Sequence, residues 1–148
     1  ISIVEEIEND GSIYKDKNVE VIAFKNDHGD FENSFGFLFI TKDKRILFSG
    51  DTGVSDNLMN YGENLDILVH EVYSSETFKN KTDDWQIYHN AHHTSSIDLG
   101  IIANKLKPKK LVLSHILFWG ATEESILDDV KSNFDGNAII AKDLMVIR

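Results

Sequence analysis

The 148-residue chain has no cysteine, a single proline and only fifteen basic residues against twenty-five acidic ones. Each shortage excludes something. Without cysteine there are no disulfides and no thiolate metal ligands, so any metal must rely on imidazole and carboxylate. The formal net charge of −10 and pI near 4.9 argue against a nonspecific nucleic-acid or anionic-membrane surface. No stretch approaches the about 18 continuous apolar residues of a membrane span. The start Ile1-Ser2-Ile3-Val4-Glu5-Glu6 has neither the basic nor the apolar segment of a signal peptide, so a cytoplasmic protein is expected. Ile1 is not an initiator methionine, which suggests residues cut from something longer. What is present, 41% hydrophobic residues, suffices for one compact domain, and no low-complexity linker divides it.

Phe35 to Ile40 and Arg45 to Phe48 flank the turn-like Thr41-Lys42-Asp43-Lys44 and read as a hairpin. Val54 to Tyr61 reads as a short helix closed by Gly62, and Leu65 to Val69 as a buried strand entering His70-Glu71. Ser95 to Leu106 has helical spacing, with Thr94 or Ser95 as cap and Pro108 as terminator, before a strand at Leu111 to Ser114. Thr122 opens a last helix to about Asn133, and Ala138 to Ala141 with Leu144 to Ile147 reads as a closing hairpin. Residues 1 to 15 carry the weakest pattern.

The strand Ile46-Leu47-Phe48 ends in Ser49-Gly50-Asp51-Thr52-Gly53, hanging one carboxylate between glycines that allow close approach of a ligand. Leu111-Val112-Leu113-Ser114 ends similarly in His115. Taken singly, Asp51 reads equally as a turn residue or a helix cap, and any one histidine as a solvated or satisfied core group. Their combination at predicted element ends, with His28, His70 and His93, points to a metal site. In His89-Asn90-Ala91-His92-His93, neighbouring histidines on a loop cannot all face one ion, so one of them is expected to be functional.

His28 ahead of Asn33-Ser34-Phe35-Gly36-Phe37, then Ser49-Gly50-Asp51-Thr52-Gly53, Leu68-Val69-His70-Glu71, His93-Thr94-Ser95 and Leu113-Ser114-His115 resemble, in order, the later motifs of the metallo-β-lactamase superfamily, in its ribonuclease Z and arylsulfatase-like branch. The likeness runs from about residue 18 to residue 148, so residues 1 to 148 are expected to form a single partial domain. It implies an α+β fold: the second half of an αββα sandwich, one sheet flanked by helices. By the same resemblance His28 would ligate a first metal, Asp51 would bridge two metals and His115 would ligate the second. His93 would sit beside the scissile group, with Glu71 positioning it or relaying a proton.

That likeness implies a metal-dependent hydrolase of phosphodiester, sulfate-ester or similar small ester bonds acting through a metal-bound hydroxide. Two zinc ions roughly 3.5–4 Å apart would be shared by carboxylate and solvent, with manganese or iron as alternatives. The family's His-x-His-x-Asp-His signature is absent from the chain. The isolated chain is therefore expected to bind metal weakly or not at all and to be inactive or weakly active. The sheet's inner face would then need a cover, at a sheet spacing of about 10 Å, from the missing N-terminal half or a second copy of the chain, and a homo-oligomer is expected. Only about 22 residues separate His28 from Asp51, too few for the tRNA-clamping arm of ribonuclease Z. The competing reading is a noncatalytic module that keeps the fold to bind or assemble with a partner.

Overall fold

The computed structural model describes residues 4–147; Ile1, on which the reading of the chain's start rests, lies outside them. Seven strands form one mixed sheet in the order β1-β2-β3-β4-β5-β6-β7. They are β1 (Gly11–Lys15), β2 (Val19–Lys25), β3 (Phe35–Thr41), β4 (Arg45–Phe48), β5 (Ile67–Tyr73), β6 (Lys110–Leu117) and β7 (Ala138–Ile140). The first four pair antiparallel and the last four parallel. Among the described residues five helices interleave: α1 (Asp56–Tyr61), α2 (Ser75–Phe78), α3 (Asp83–His92), α4 (Ser96–Leu106) and α5 (Glu123–Lys131). This is the expected α+β arrangement of one sheet with flanking helices.

Alternation along the strands sorts their side chains to two faces. Phe24, Leu38, Leu47, Leu68, Leu111 and Leu113 lie on one face and form the core with Leu58 of α1, Leu99, Ile102 and Ala103 of α4, and Ile126 and Val130 of α5. The other face carries the cross-strand pairs Phe37–Phe48 and Phe39–Ile46 beside Ile67 and Val69, and these side chains are only half buried. Among the described residues no helix is long and apolar enough to cross a membrane.

The helix ends follow local chemistry. Ser95 caps α4 by accepting from the Asp98 N–H at 3.0 Å, and Lys107 closes it at φ 50° just before Pro108. Thr122 caps α5 through the Ser125 N–H at 3.1 Å. The two helices meet where α4 has no side chain: a Cβ at Gly100 would stand 2.5 Å from the Val130 carbonyl oxygen.

Three expectations change. Ala138 to Ile140 is a strand, but it pairs parallel with β6, and Leu144 to Ile147 makes no hairpin with it because Leu144 projects fully into solvent. His89 and His92 lie on a helix, not a loop. His70 lies inside β5, fully buried on the core face rather than at a rim.

His70 donates from Nδ1 to the Glu71 carbonyl at 2.6 Å, while its Nε2 has no partner among the described residues. Burial pushes its pKa down from 6.5 to about 4. Its neutral form is the folded form, so the unfolded chain binds the proton first. Stability from this site is complete above pH 6.5 and drains away as pH falls from there to about 4. Urea midpoints should decline across that interval, and the decline should flatten in His70→Leu. Leu68→Ala, at a site with no exposure, should cost about 2–5 kcal/mol by urea unfolding, whereas Leu144→Ala should leave the midpoint unchanged.

Candidate metal centre

The parallel strands deliver their carboxyl ends to one edge of the sheet, the usual place for a ligand site in such architectures. β4 runs straight into the turn that carries Asp51. That turn needs glycine at residue 50: its φ is +63°, and a Cβ there would stand 2.7 Å from the Phe35 carbonyl oxygen. The Asn26 amide donates to the Ser49 carbonyl at 2.7 Å, and the Gly53 N–H to the Asp27 carbonyl at 2.6 Å. These bonds fasten the Asp51 turn to the segment after β2.

His115 reaches the same place by a different device. Glu71 pairs with Ser114 and Val72 with Ile116, so His115 is the extra residue of a β-bulge, with φ 43°. A bulge re-aims a side chain that regular pairing would send elsewhere. Here it brings His115 Nε2 to 3.4 Å from Asp51 Oδ2. The left-handed conformation is unfavourable for a histidine, a strain of the kind that clusters at functional positions.

His93 follows the last turn of α3, where its N–H donates to the His89 carbonyl at 2.8 Å. Glu71, on β5 and almost wholly buried, holds this segment: its Oε1 accepts from the Thr94 N–H at 2.6 Å, and Oε2 lies 3.3 Å from His93 Nδ1. Neither of those last two atoms has another partner among the described residues. Burial raises the Glu71 pKa, opposed by His93 and the Thr94 N–H. Beside it the His89 pKa is lowered, first by burial and then by His93, His92 and Lys81.

One potential ligand atom each from Asp51, His93 and His115 lie within 4.8 Å of one another. Ligands on a tetrahedral ion with bonds of about 2.1 Å stand about 3.4 Å apart, so small side-chain rotations close the set. Two imidazoles and a carboxylate suit zinc, manganese or iron, and three protein ligands leave a position open for substrate or water. The site opens onto a cleft of about 240 Å³ lined by Phe37, Phe48, Gly50, Val69 and Ser114 along with Asp51, Glu71 and His115.

The structure thus brings together Asp51, His115, His93 and Glu71. His28 stands just outside the three-residue cluster: its ring is edge-on to His93 with centroids 5.5 Å apart, and its Nδ1 donates to the His92 carbonyl at 2.8 Å. That bond leaves Nε2 of the neutral ring free to ligate. Sequence reasoning missed the ring neighbours His89 and Trp119, whose centroids lie 4.8 Å apart.

No family model matches the chain. It is 33% identical over 142 residues to ribonuclease Z of Bacillus velezensis, an alignment covering 93% of this chain and 43% of that protein. A metallo-β-lactamase fold protein from Bacillus subtilis superposes with a TM-score of 0.72 at 19% identity, over 89% of this chain and 50% of that one. Human tRNase Z, short form, superposes with a TM-score of 0.65 at 23% identity, over 95% of this chain and 46% of that one. The chain spans between about a fifth and somewhat under half of the length of the curated relatives it matches.

Because three ligands meet at one point instead of being divided between two ions, calorimetric zinc titration of the chain alone should register one weakly held ion on the cluster. Binding should vanish in His115→Gly, chosen because glycine accepts the left-handed backbone, while circular dichroism stays unchanged. Glu71→Gln keeps an acceptor for Thr94 but removes the charge beside His93, and should weaken binding about 10–100-fold.

Proposed function

The chain belongs to the metallo-β-lactamase superfamily, and from that premise we propose that it forms the second half of a metal-dependent hydrolase acting on phosphodiester bonds. The observation that carries the reading is the convergence of Asp51, His93 and His115 from three separate segments onto one point. The names of the relatives support the bond type: ribonuclease Z by sequence, and a diphosphatase of the PhnP family among the structural neighbours.

In this reading zinc would be the ion, and His28 would hold a second one together with ligands from the first half of the fold. A divalent ion held here would lower the pKa of bound water towards 7 and polarise an ester oxygen. The chain's own residues supply the ligands and their orientation. Asp51, His93 and His115 would hold the ion at the mouth of the cleft, and the buried Glu71 beside His93 Nδ1 orients that imidazole. In this reading His93 serves as a ligand and not as the free group beside the scissile bond that the resemblance implies. Phe37, Phe48 and Val69 exclude water from one wall of the cleft.

The first half of the fold, supplied by upstream sequence or by another chain, covers the face bearing Phe37, Phe39, Ile46, Phe48, Ile67 and Val69. Half-exposed apolar side chains on adjacent strands support this, since a contiguous patch of that kind marks a contact surface. The chain alone should accordingly associate, and light scattering after size-exclusion chromatography should give a mass above 16.8 kDa. A monomer at high concentration would count against a covered face.

Hydrolysis of bis(p-nitrophenyl) phosphate and of p-nitrophenyl sulfate tests the function directly. With the chain joined to its upstream region and loaded with zinc, the phosphodiester should turn over well above the sulfate. Asp51→Asn should reduce that rate by at least about 100-fold. Equal rates for wild type and Asp51→Asn would overturn the assignment.

A further inference from the structure

The tract His89-Asn90-Ala91-His92-His93 holds more histidine than the metal cluster uses. His93 joins the cluster and His92 does not. The His92 ring is instead buried, at 3% exposure, on the loop between β2 and β3. A missing side chain makes its seat. A Cβ at Gly29 would stand 2.1 Å from His92 Nε2 and 2.2 Å from its Cε1, so the imidazole occupies space that any other residue at 29 would fill. Gly29 also has φ 55°, a conformation that favours glycine. Two further contacts fix the ring there. Its Nδ1 donates to the Tyr88 carbonyl at 2.7 Å, and the Tyr88 ring stacks on it with centroids 4.0 Å apart and planes at 18°.

The same loop satisfies the end of α3. The last carbonyls of an α-helix have no partner within it, and here their donors come from two consecutive loop residues. The Gly29 N–H donates to the Ala91 carbonyl at 2.9 Å, and His28 Nδ1 to the His92 carbonyl at 2.8 Å. A carbonyl only accepts, so His28 carries its proton on Nδ1 and keeps a lone pair on Nε2. The His28 ring stands edge-on to that of His92 at 5.0 Å, and Phe31 stacks on it at 5.0 Å. Helix and loop thus interlock through the His92 ring and two bonds to main-chain carbonyls.

We propose that His92 is a positioning residue for His28: its imidazole, seated on Gly29, keeps the end of α3 against the loop so that the His92 carbonyl holds His28 in the tautomer and orientation that present Nε2 as a metal ligand. The proposal rests on the reading of His28 as the ligand of a second ion, and adds how the chain sets that ligand without help from the ion. An imidazole whose other nitrogen donates to a carbonyl is oriented and made a more basic ligand. The partial negative charge at a helix C-terminus favours such a donor. His93 has a separate support, since Glu71 accepts from the neighbouring Thr94 N–H at 2.6 Å, so the Asp51 cluster does not depend on the His92 ring.

Long-range ¹H–¹⁵N spectra of the histidine rings test this on the full chain, with a chelator present and at a pH well above the ordinary imidazole value of about 6.5. In wild type His28 should carry its proton on Nδ1 alone. His92→Ala keeps the main-chain carbonyl and removes only the ring, and His28 should then show both tautomers in exchange. Tyr88→Ala, a milder change at a half-exposed site, should move the His28 populations the same way by less, so the test stands even if His92→Ala folds poorly. Exclusive Nδ1 protonation of His28 in both variants, or Nε2 protonation in wild type, would overturn the proposal. With the chain joined to its upstream region, His92→Ala should weaken the zinc ion at His28 about 10–100-fold and leave the ion of the Asp51 cluster unchanged. Equal weakening of both ions, as from a general loss of structure, would count against positioning. His28→Ala separates the two ideas: unaltered zinc binding in that variant would overturn the reading of His28 as a ligand, whereas the His28 tautomer still decides the role of His92.

Discussion

The parallel register of β4, β5 and β6 is the constraint on which the rest of the molecule depends. Phe48 lies beside Val69, Val69 beside Val112, and Glu71 beside Ser114. This alignment ends the strands level with one another, so that residues only a few positions beyond or near those ends meet across the edge. A one-residue slip in any strand would exchange its two faces. Leu47, Leu68 and Leu111 would leave the core, and Glu71 would leave His93. Burial of the leucines thus enforces the placement of the polar groups, which have little intrinsic tendency to gather.

Two costs are borne at that edge. A carboxylate on a nearly inaccessible strand position is expensive to desolvate, and Glu71 offsets this with the Thr94 N–H and the adjacent His93 ring. A histidine in the left-handed region is unfavourable as well, and the bulge in β6 stabilises it by restoring regular pairing from Ile116 onward. Both departures from an optimal fold fall within a few ångströms of each other, and both aim a polar side chain at one point. Arrangements that sacrifice local stability in the same small volume are the ones with a chemical explanation.

Much of this was legible in the sequence because strand ends and glycines leave strong local marks. Gly50 beside Asp51 announced a tight turn at a strand tip, and Ser95, Thr122 and Pro108 marked helix ends that the structure bears out. The helix α3 escaped notice for a physical reason: the side chains it buries are His89 and His92, not leucines or valines, so its sequence lacks the apolar stripe by which amphipathic helices are recognised. The strand β1 escaped similarly, being mostly exposed along its length. At the other end, Leu144 to Ile147 has the composition of a strand but no neighbour to pair with, and composition alone cannot supply one. The bulge at His115 leaves no mark in a single sequence, since it arises from the mismatch between two strands.

The central claim is that Asp51, His93 and His115 hold one metal ion together. Anomalous diffraction at the zinc absorption edge from crystals grown with zinc tests this most directly. A peak is expected about 2.0–2.2 Å from an oxygen of Asp51 and a nitrogen of each imidazole. A zinc peak elsewhere with these three side chains unliganded, or no peak at saturating zinc, would contradict it.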